Sequence, residues 1–150
     1  EPTDSIALGN KGAALTQLNK HEEALLIYDK ALQIDPTNIN ILNNKAATLF
    51  NLGKIDESLQ TLDKILEIEP SNVNVLILKG KVLSETKRYS EAFSIFKKAL
   101  EIDPTNDDAK KQSYFAINHI HLIPITNSKY LGHVVLQLRN SQGALVSGFV

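Results

Sequence analysis

The sequence predicts an all-α solenoid of three helix hairpins with a capping helix, followed by a short tail that reads as a β-hairpin. Three observations carry this. The octet ALQIDPTN (Ala31–Asn38) returns as ILEIEPSN (Ile65–Asn72) and as ALEIDPTN (Ala99–Asn106), each copy 34 residues after the last. Between the copies, apolar residues recur at the spacing of one helix face. Near residue 118 the composition changes: residues 1–118 hold 14 basic and 17 acidic residues, whereas 119–150 hold only Lys129 and Arg139 and no acid.

The octet is a stop signal joined to a start signal. In Asp35-Pro36-Thr37-Asn38 the proline disfavours helical geometry in the residue before it and has no N–H to donate. Thr37 or Asn38 then accepts hydrogen bonds from the first free N–H groups of the next helix. Such a turn at a fixed interval stacks like helix pairs, each burying the face its neighbour leaves open. The units are Ser5–Asn38, Ile39–Asn72 and Val73–Asn106.

In the first unit Ala7, Leu8, Ala14, Leu15 and Leu18 mark one helix and Asn19-Lys20 a turn. Ala24, Leu25, Tyr28, Ala31 and Leu32 mark the second helix. The next unit repeats this with Leu42, Leu49 and Leu52, then Gly53-Lys54, then Leu59, Leu62, Ile65 and Leu66. The third has Leu76 and Leu83, then Lys87-Arg88, then Ala92, Phe93, Phe96, Ala99 and Leu100. Gly12, Ala46 and Gly80 share one position, and Ala24, Ser58 and Ala92 another. Small side chains there let the two helices of a hairpin approach closely. A further helix from Asn106 to Ile120 has an apolar stripe (Ala109, Ala116, Ile117, Ile120), with Asp107 and Asp108 suited to its positive end. Lys110 makes its outer face more polar, as a terminal repeat needs.

This pattern resembles the tetratricopeptide repeat (TPR) family, whose period is 34. Leu8, Gly12, Leu15, Ala24, Tyr28, Ala31 and Pro36 match in the first unit, and Leu76, Gly80, Leu83, Ala92, Phe96, Ala99 and Pro104 in the third. In the second, Leu42, Ala46, Leu49 and Pro70 fit, while Ser58, Leu62 and Ile65 depart. The resemblance implies a right-handed α-α superhelix whose first helices line a concave groove that holds a peptide segment of another protein.

On that reading the lining comprises Ile6, Gly9, Asn10, Ala13 and Gln17; Asn40, Asn43, Asn44, Ala47, Phe50 and Asn51; and Asn74, Ile77, Leu78, Lys81 and Glu85. The last helix adds Lys111, Gln112 and Phe115. Asparagine offers both a donor and an acceptor, and so grips a peptide backbone without reading its sequence. Asn10 and Asn44 fall where some family members form an asparagine ladder, which Leu78 breaks. Phe50, Ile77, Leu78 and Phe115 form an expected apolar patch suited to an anchoring side chain. Other family members clamp a C-terminal carboxylate with basic and asparagine residues. At those positions this chain has Gly9, Ala13, Asn74 and Leu78, and only Asn44 survives, so no such clamp is expected. Lys11, Lys45 and Lys79 recur in phase, either as a basic stripe or as packed aliphatic stems with solvated or paired heads. The second reading is the one expected.

No phosphate-binding glycine loop or nucleophile elbow is present. Glu22-Glu23, Asp56-Glu57 and Asp107-Asp108 sit at helix starts, where acids offset the helix dipole. His119, His121 and His133 have no matching acid or cysteine close by. The chain is therefore expected to be no enzyme, with no cofactor and no metal. A formal charge of −1 gives no footprint for nucleic acid, and no apolar run is long enough to insert in a membrane.

In the tail, His133–Arg139 alternates around Val134, Leu136 and Leu138, Asn140–Gly143 reads as a turn, and Ala144–Val150 is a second apolar run. Two strands alone are marginal in water. The tail, 121–150, is accordingly expected to begin a truncated β-rich segment, or to pair with another copy into a homo-oligomer. Its other expected role is folding LIPI (Leu122–Ile125) into the groove. The lack of any methionine is read as the mark of a fragment. A cytoplasmic setting is favoured, and an extracytoplasmic one follows if the tail opens a β-domain. Function is expected to be that of a protein-interaction scaffold for a protein or peptide ligand. The alternatives are an accessory domain of a larger enzyme or secreted multidomain protein, and a structural module that self-associates through its hairpin.

Overall fold

The computed structural model describes residues 4–120, and these are helical throughout apart from short turns. The elements are α1 (Ser5–Gln17), α2 (His21–Ile34), α3 (Ile39–Asn51), α4 (Ile55–Ile68), α5 (Val73–Glu85), α6 (Tyr89–Ile102) and α7 (Asp107–Ile120). Each first helix of a hairpin has 13 residues and each second helix 14. No strand occurs among the described residues, and the expected β-hairpin, LIPI, His121 and His133 all lie outside them.

The turns follow from the repeated octet. Pro36, Pro70 and Pro104 each lie outside a helix. Asn38, Asn72 and Asn106 are the caps: their Oδ1 atoms accept from Ile41 N at 3.3 Å, Val75 N at 3.1 Å and Ala109 N at 2.9 Å. Thr37 is not a cap. Its backbone N–H and hydroxyl both donate to Asp35, at 3.3 and 3.2 Å, and Thr105 treats Asp103 in the same way. Asn38 closes the motif by donating from Nδ2 to Asp35 at 3.1 Å. One turn thus holds an acceptor that ends a helix and an amide that starts the next.

The turns inside the hairpins share a different device. Asn19, Gly53 and Lys87 hold φ of +58, +73 and +61°, the left-handed conformation that closes a helix. The residue after each donates its N–H back across the last turn: Lys20 to Leu15 O at 2.9 Å, Lys54 to Leu49 O at 2.9 Å and Arg88 to Leu83 O at 2.8 Å.

Packing follows the small positions. Ala24, Ser58 and Ala92 are fully buried, and Ser58 satisfies its hydroxyl by donating to Ala46 O at 2.8 Å. Tyr28, Leu62 and Phe96 share one position and are also fully buried. Ile65, which replaces the alanine seen as Ala31 and Ala99, is absorbed with no exposure at all. Ile41 of α3 packs in the same cluster as Leu8, Ala24, Tyr28 and Ala31, which joins the first unit to the second. Leu18 departs from expectation: it follows α1 as its C-cap residue and stays 68% exposed. Ala7 and Ala14 are exposed as well.

Two ion pairs fasten units together. Lys45 of α3 reaches Asp29 of α2 at 2.6 Å, and Lys79 of α5 reaches Asp63 of α4. Two of the lysines expected as packed stems with paired heads therefore bridge α2 to α3 and α4 to α5. Asp29 and Asp63 each stand 16 residues before their lysines, a repeated spacing that marks the pairs in the sequence. Lys11, in the same phase, is exposed.

Candidate functional site

The first helices carry all the asparagines found within α1 to α6: Asn10 in α1; Asn40, Asn43, Asn44 and Asn51 in α3; and Asn74 in α5. Asparagine costs several tenths of a kcal/mol in a helix interior relative to alanine. These six make no side-chain hydrogen bond among the described residues, unlike the capping Asn38, Asn72 and Asn106. Asn10, Asn40, Asn44, Asn51 and Asn74 are exposed, as is Gln17.

Their placement divides the expected lining into three hollows. Asn10, Asn40 and Asn44 surround one of about 180 Å³ together with Ile6 and Gly9. Phe50, Asn51, Leu78 and Lys81 border a second, mainly apolar, of about 240 Å³. Phe115, Gln112, Lys81 and Glu85 border a third of about 440 Å³, next to Lys87 and Tyr89. Gln17 and Asn74 line none of the three.

Three expected site residues sit differently. Ile77 is 6% exposed and packed in the core beside Val75, so it cannot serve as an anchor in the groove. Its position is shared by Gly9 and Asn43, and at Gly9 that position faces the next first helix. A Cβ built on Gly9 would lie 2.9 Å from Ile41 Cγ1, and Asn43 is half-buried. Lys81 is half-buried and committed to Asp108 of α7 at 2.7 Å. That ammonium, with a lesser contribution from Gln112, holds the Asp108 carboxyl below the usual aspartate range. Phe115 is 46% exposed, yet its ring also meets Tyr89 edge-on with centroids 6.2 Å apart, so it docks α7 on α6.

Charge on this face is otherwise sparse. Most of the acids expected at helix starts are paired: Glu23 with Lys20, Glu57 with Lys54, Asp107 with Lys110, and Asp56 with Arg88 of the next unit, which also binds Glu91. Arg88 binds Glu91 through both Nε and Nη2, which lowers the Glu91 carboxyl's proton affinity. Among the described residues no group of three or more His, Asp or Glu side chains is placed to hold a metal ion. No described helix is long and apolar enough to cross a membrane. What the face offers is amide and apolar surface, which hydrogen-bonds and buries.

Known proteins agree with this architecture. Family models described as tetratricopeptide repeat match residues 15–82 and 73–106, together more than half of the chain. The TPR domain of Arabidopsis OM64 is 26% identical, with 77% of this chain and 95% of that one covered at a TM-score of 0.68. The first TPR of Spaghetti (RPAP3), bound to the HSP90 peptide SRMEEVD, is 21% identical, with 81% and 96% covered at a TM-score of 0.70. The second TPR domain of human RPAP3, in complex with the HSP70 peptide SGPTIEEVD, is 19% identical, with 75% and 93% covered at a TM-score of 0.66. No curated protein matches the chain in sequence. The repeat period, the helix pairs and these matches agree: the chain belongs to the tetratricopeptide repeat family.

Proposed function

We propose that the chain is a protein-interaction scaffold that holds an extended peptide, or an extended segment of a partner protein, against its first helices. One observation carries the reading. Six asparagines lie within first helices, none within the second helices α2, α4 and α6, and those six amides have no partner among the described residues. Amides with unspent donors and acceptors suit a peptide backbone, whose N–H and C=O groups need the complementary pair. The peptides seen on the RPAP3 domains support it by fold likeness.

The ligand differs in kind from those acidic tails. A carboxylate clamp needs cations, and its basic positions here hold Gly9, Asn74 and Leu78, with Ala13 in place of one of its asparagines. The test is Asn44→Ala, alone and with Asn10→Ala, titrated with a peptide selected on the full chain. Loss of an amide facing a buried backbone group should weaken binding by about 1–3 kcal/mol. Unchanged affinity in the double variant would end the reading.

A further inference from the structure

The three hairpins fill one equivalent space in three ways. At the first junction Tyr28 occupies it, with its hydroxyl 3.2 Å from Thr16 Oγ1, which is itself 3.0 Å from Thr48 Oγ1. In the third hairpin Phe96 occupies it, pressed on Gly80. In the second hairpin the equivalent residue is Leu62, which has no ring. The residues standing where Thr16 and Thr48 stand in the first are Phe50 and Val82. A ring and a pair of hydroxyls are thereby replaced by apolar walls around an open space. That space is the hollow of about 240 Å³, floored by Leu62 and Ala46 and walled by Ala47, Phe50, Leu78 and Val82. An enclosed apolar cavity of about 150 Å³ is enough to admit benzene.

Its rim sets a charge preference. Lys81 and Glu85 both border the opening. Lys81 is engaged by Asp108, whereas Glu85 is exposed and has no ion pair among the described residues. The uncommitted charge at the mouth is therefore negative. An acidic tail such as SRMEEVD would bring like charge to it, while a lysine or arginine on the ligand would complement it.

Resting on the peptide-scaffold reading above, we propose that this pocket is a specificity site. It takes one leucine-, methionine- or phenylalanine-sized side chain of an extended peptide, next to a Lys or Arg that meets Glu85. The missing ring of Leu62 is the device: the flanking hairpins carry their own plug, and the middle one receives its plug from the ligand.

The full chain is used to select from a phage-displayed library of random linear peptides, and the enriched consensus is synthesised and titrated. The expected consensus pairs a bulky apolar residue with an adjacent basic one. Changing the apolar residue to alanine should lower affinity about 10- to 100-fold. The A46G/L62F variant restores the glycine-plus-ring arrangement of the flanking units and should bind parent and alanine peptides alike. Glu85→Lys alters only exposed surface, so it remains informative if the double variant does not fold. It should turn the preference from a basic to an acidic neighbour. Enriched peptides without an apolar residue, or a parent and alanine peptide of equal affinity for the unmodified chain, overturn the pocket and leave the scaffold reading standing. A preference for basic neighbours that survives Glu85→Lys overturns the charge assignment. Retention of no peptide at all defeats the scaffold reading and this one with it.

Discussion

Gly12 lies so close to the ring of Tyr28 that a Cβ built on it would stand 2.5 Å from Cε1. No real Cβ tolerates that distance, and the ring is fully buried and hydrogen-bonded at its far end to Thr16. Gly80 stands in the same relation to Phe96. Where the second helix carries the smaller Leu62, the facing residue is Ala46. The two positions trade volume, as close-packed interiors require.

Gly12→Ala should therefore destabilise the fold by about 1–3 kcal/mol through overpacking. Tyr28→Leu in the same chain should recover part of that loss, because it recreates the Ala46–Leu62 pairing. Urea unfolding of both single variants and the double variant measures the coupling. Additive losses would show that the two side chains do not compete for one volume.

The left-handed residues give a cleaner backbone test. Gly53 has open space around its missing Cβ and a φ of +73°, so Gly53→Ala meets no neighbour and suffers only the conformational penalty. The expected loss is about 1 kcal/mol. Lys87 already bears that penalty at φ +61°. Lys87→Gly should thus be neutral to stabilising by up to about 1 kcal/mol, the gain being reduced by the freer unfolded chain. A shift of the urea midpoint in the opposite sense for either variant would show that these turns are held by something other than backbone preference.

Most of the architecture was legible because each signal was local and repeated. A proline, a capping amide and a small residue act within a few positions of themselves, so three copies in phase fixed three hairpins. The losses came where a role depended on a neighbour from another unit. The periodicity put Ile77 on the inner face with Asn43, yet it is buried at 6% exposure within the core. Lys81 read only as groove lining, and its pairing was hidden because its partner, Asp108, lies in another helix, where acids were already explained by the helix dipole. Leu62 read as a departure from the pattern, and only coordinates show the hollow it leaves.

The unit-to-unit ion pairs should be individually weak. Lys79 is mostly covered at 18% side-chain exposure, but Asp63 is 49% exposed, and an exposed partner leaves the pair screened. A double-mutant cycle of Lys79→Ala and Asp63→Ala should give a coupling of about 0.2–1 kcal/mol that shrinks in high salt. A coupling several times larger that ignores salt would assign these pairs a structural weight beyond that of a surface staple.

Acid should loosen the repeat turns. The Asp103 carboxyl accepts from the Thr105 hydroxyl at 2.7 Å and the Thr105 N–H at 3.0 Å. These bonds, the hydroxyl's first, hold its proton affinity below that of an ordinary aspartate, with Asn106 and Lys110 adding to the effect. Asp108 is lowered as well, chiefly by Lys81. A depressed carboxyl binds its proton less readily folded than unfolded, so the unfolded chain takes up more protons as pH falls. The stabilisation is complete above the unfolded aspartate value of about 3.9 and drains away as pH drops through the lower folded value. Asp103→Asn leaves a side chain that can still accept from Thr105 but cannot titrate. Urea midpoints measured from neutral pH down to about 2 should fall less steeply for Asp103→Asn than for the unmodified chain, with the difference confined to the acid limb. An acid limb of identical slope in both proteins would show that the turn's hydrogen bonds form equally well to a protonated carboxyl.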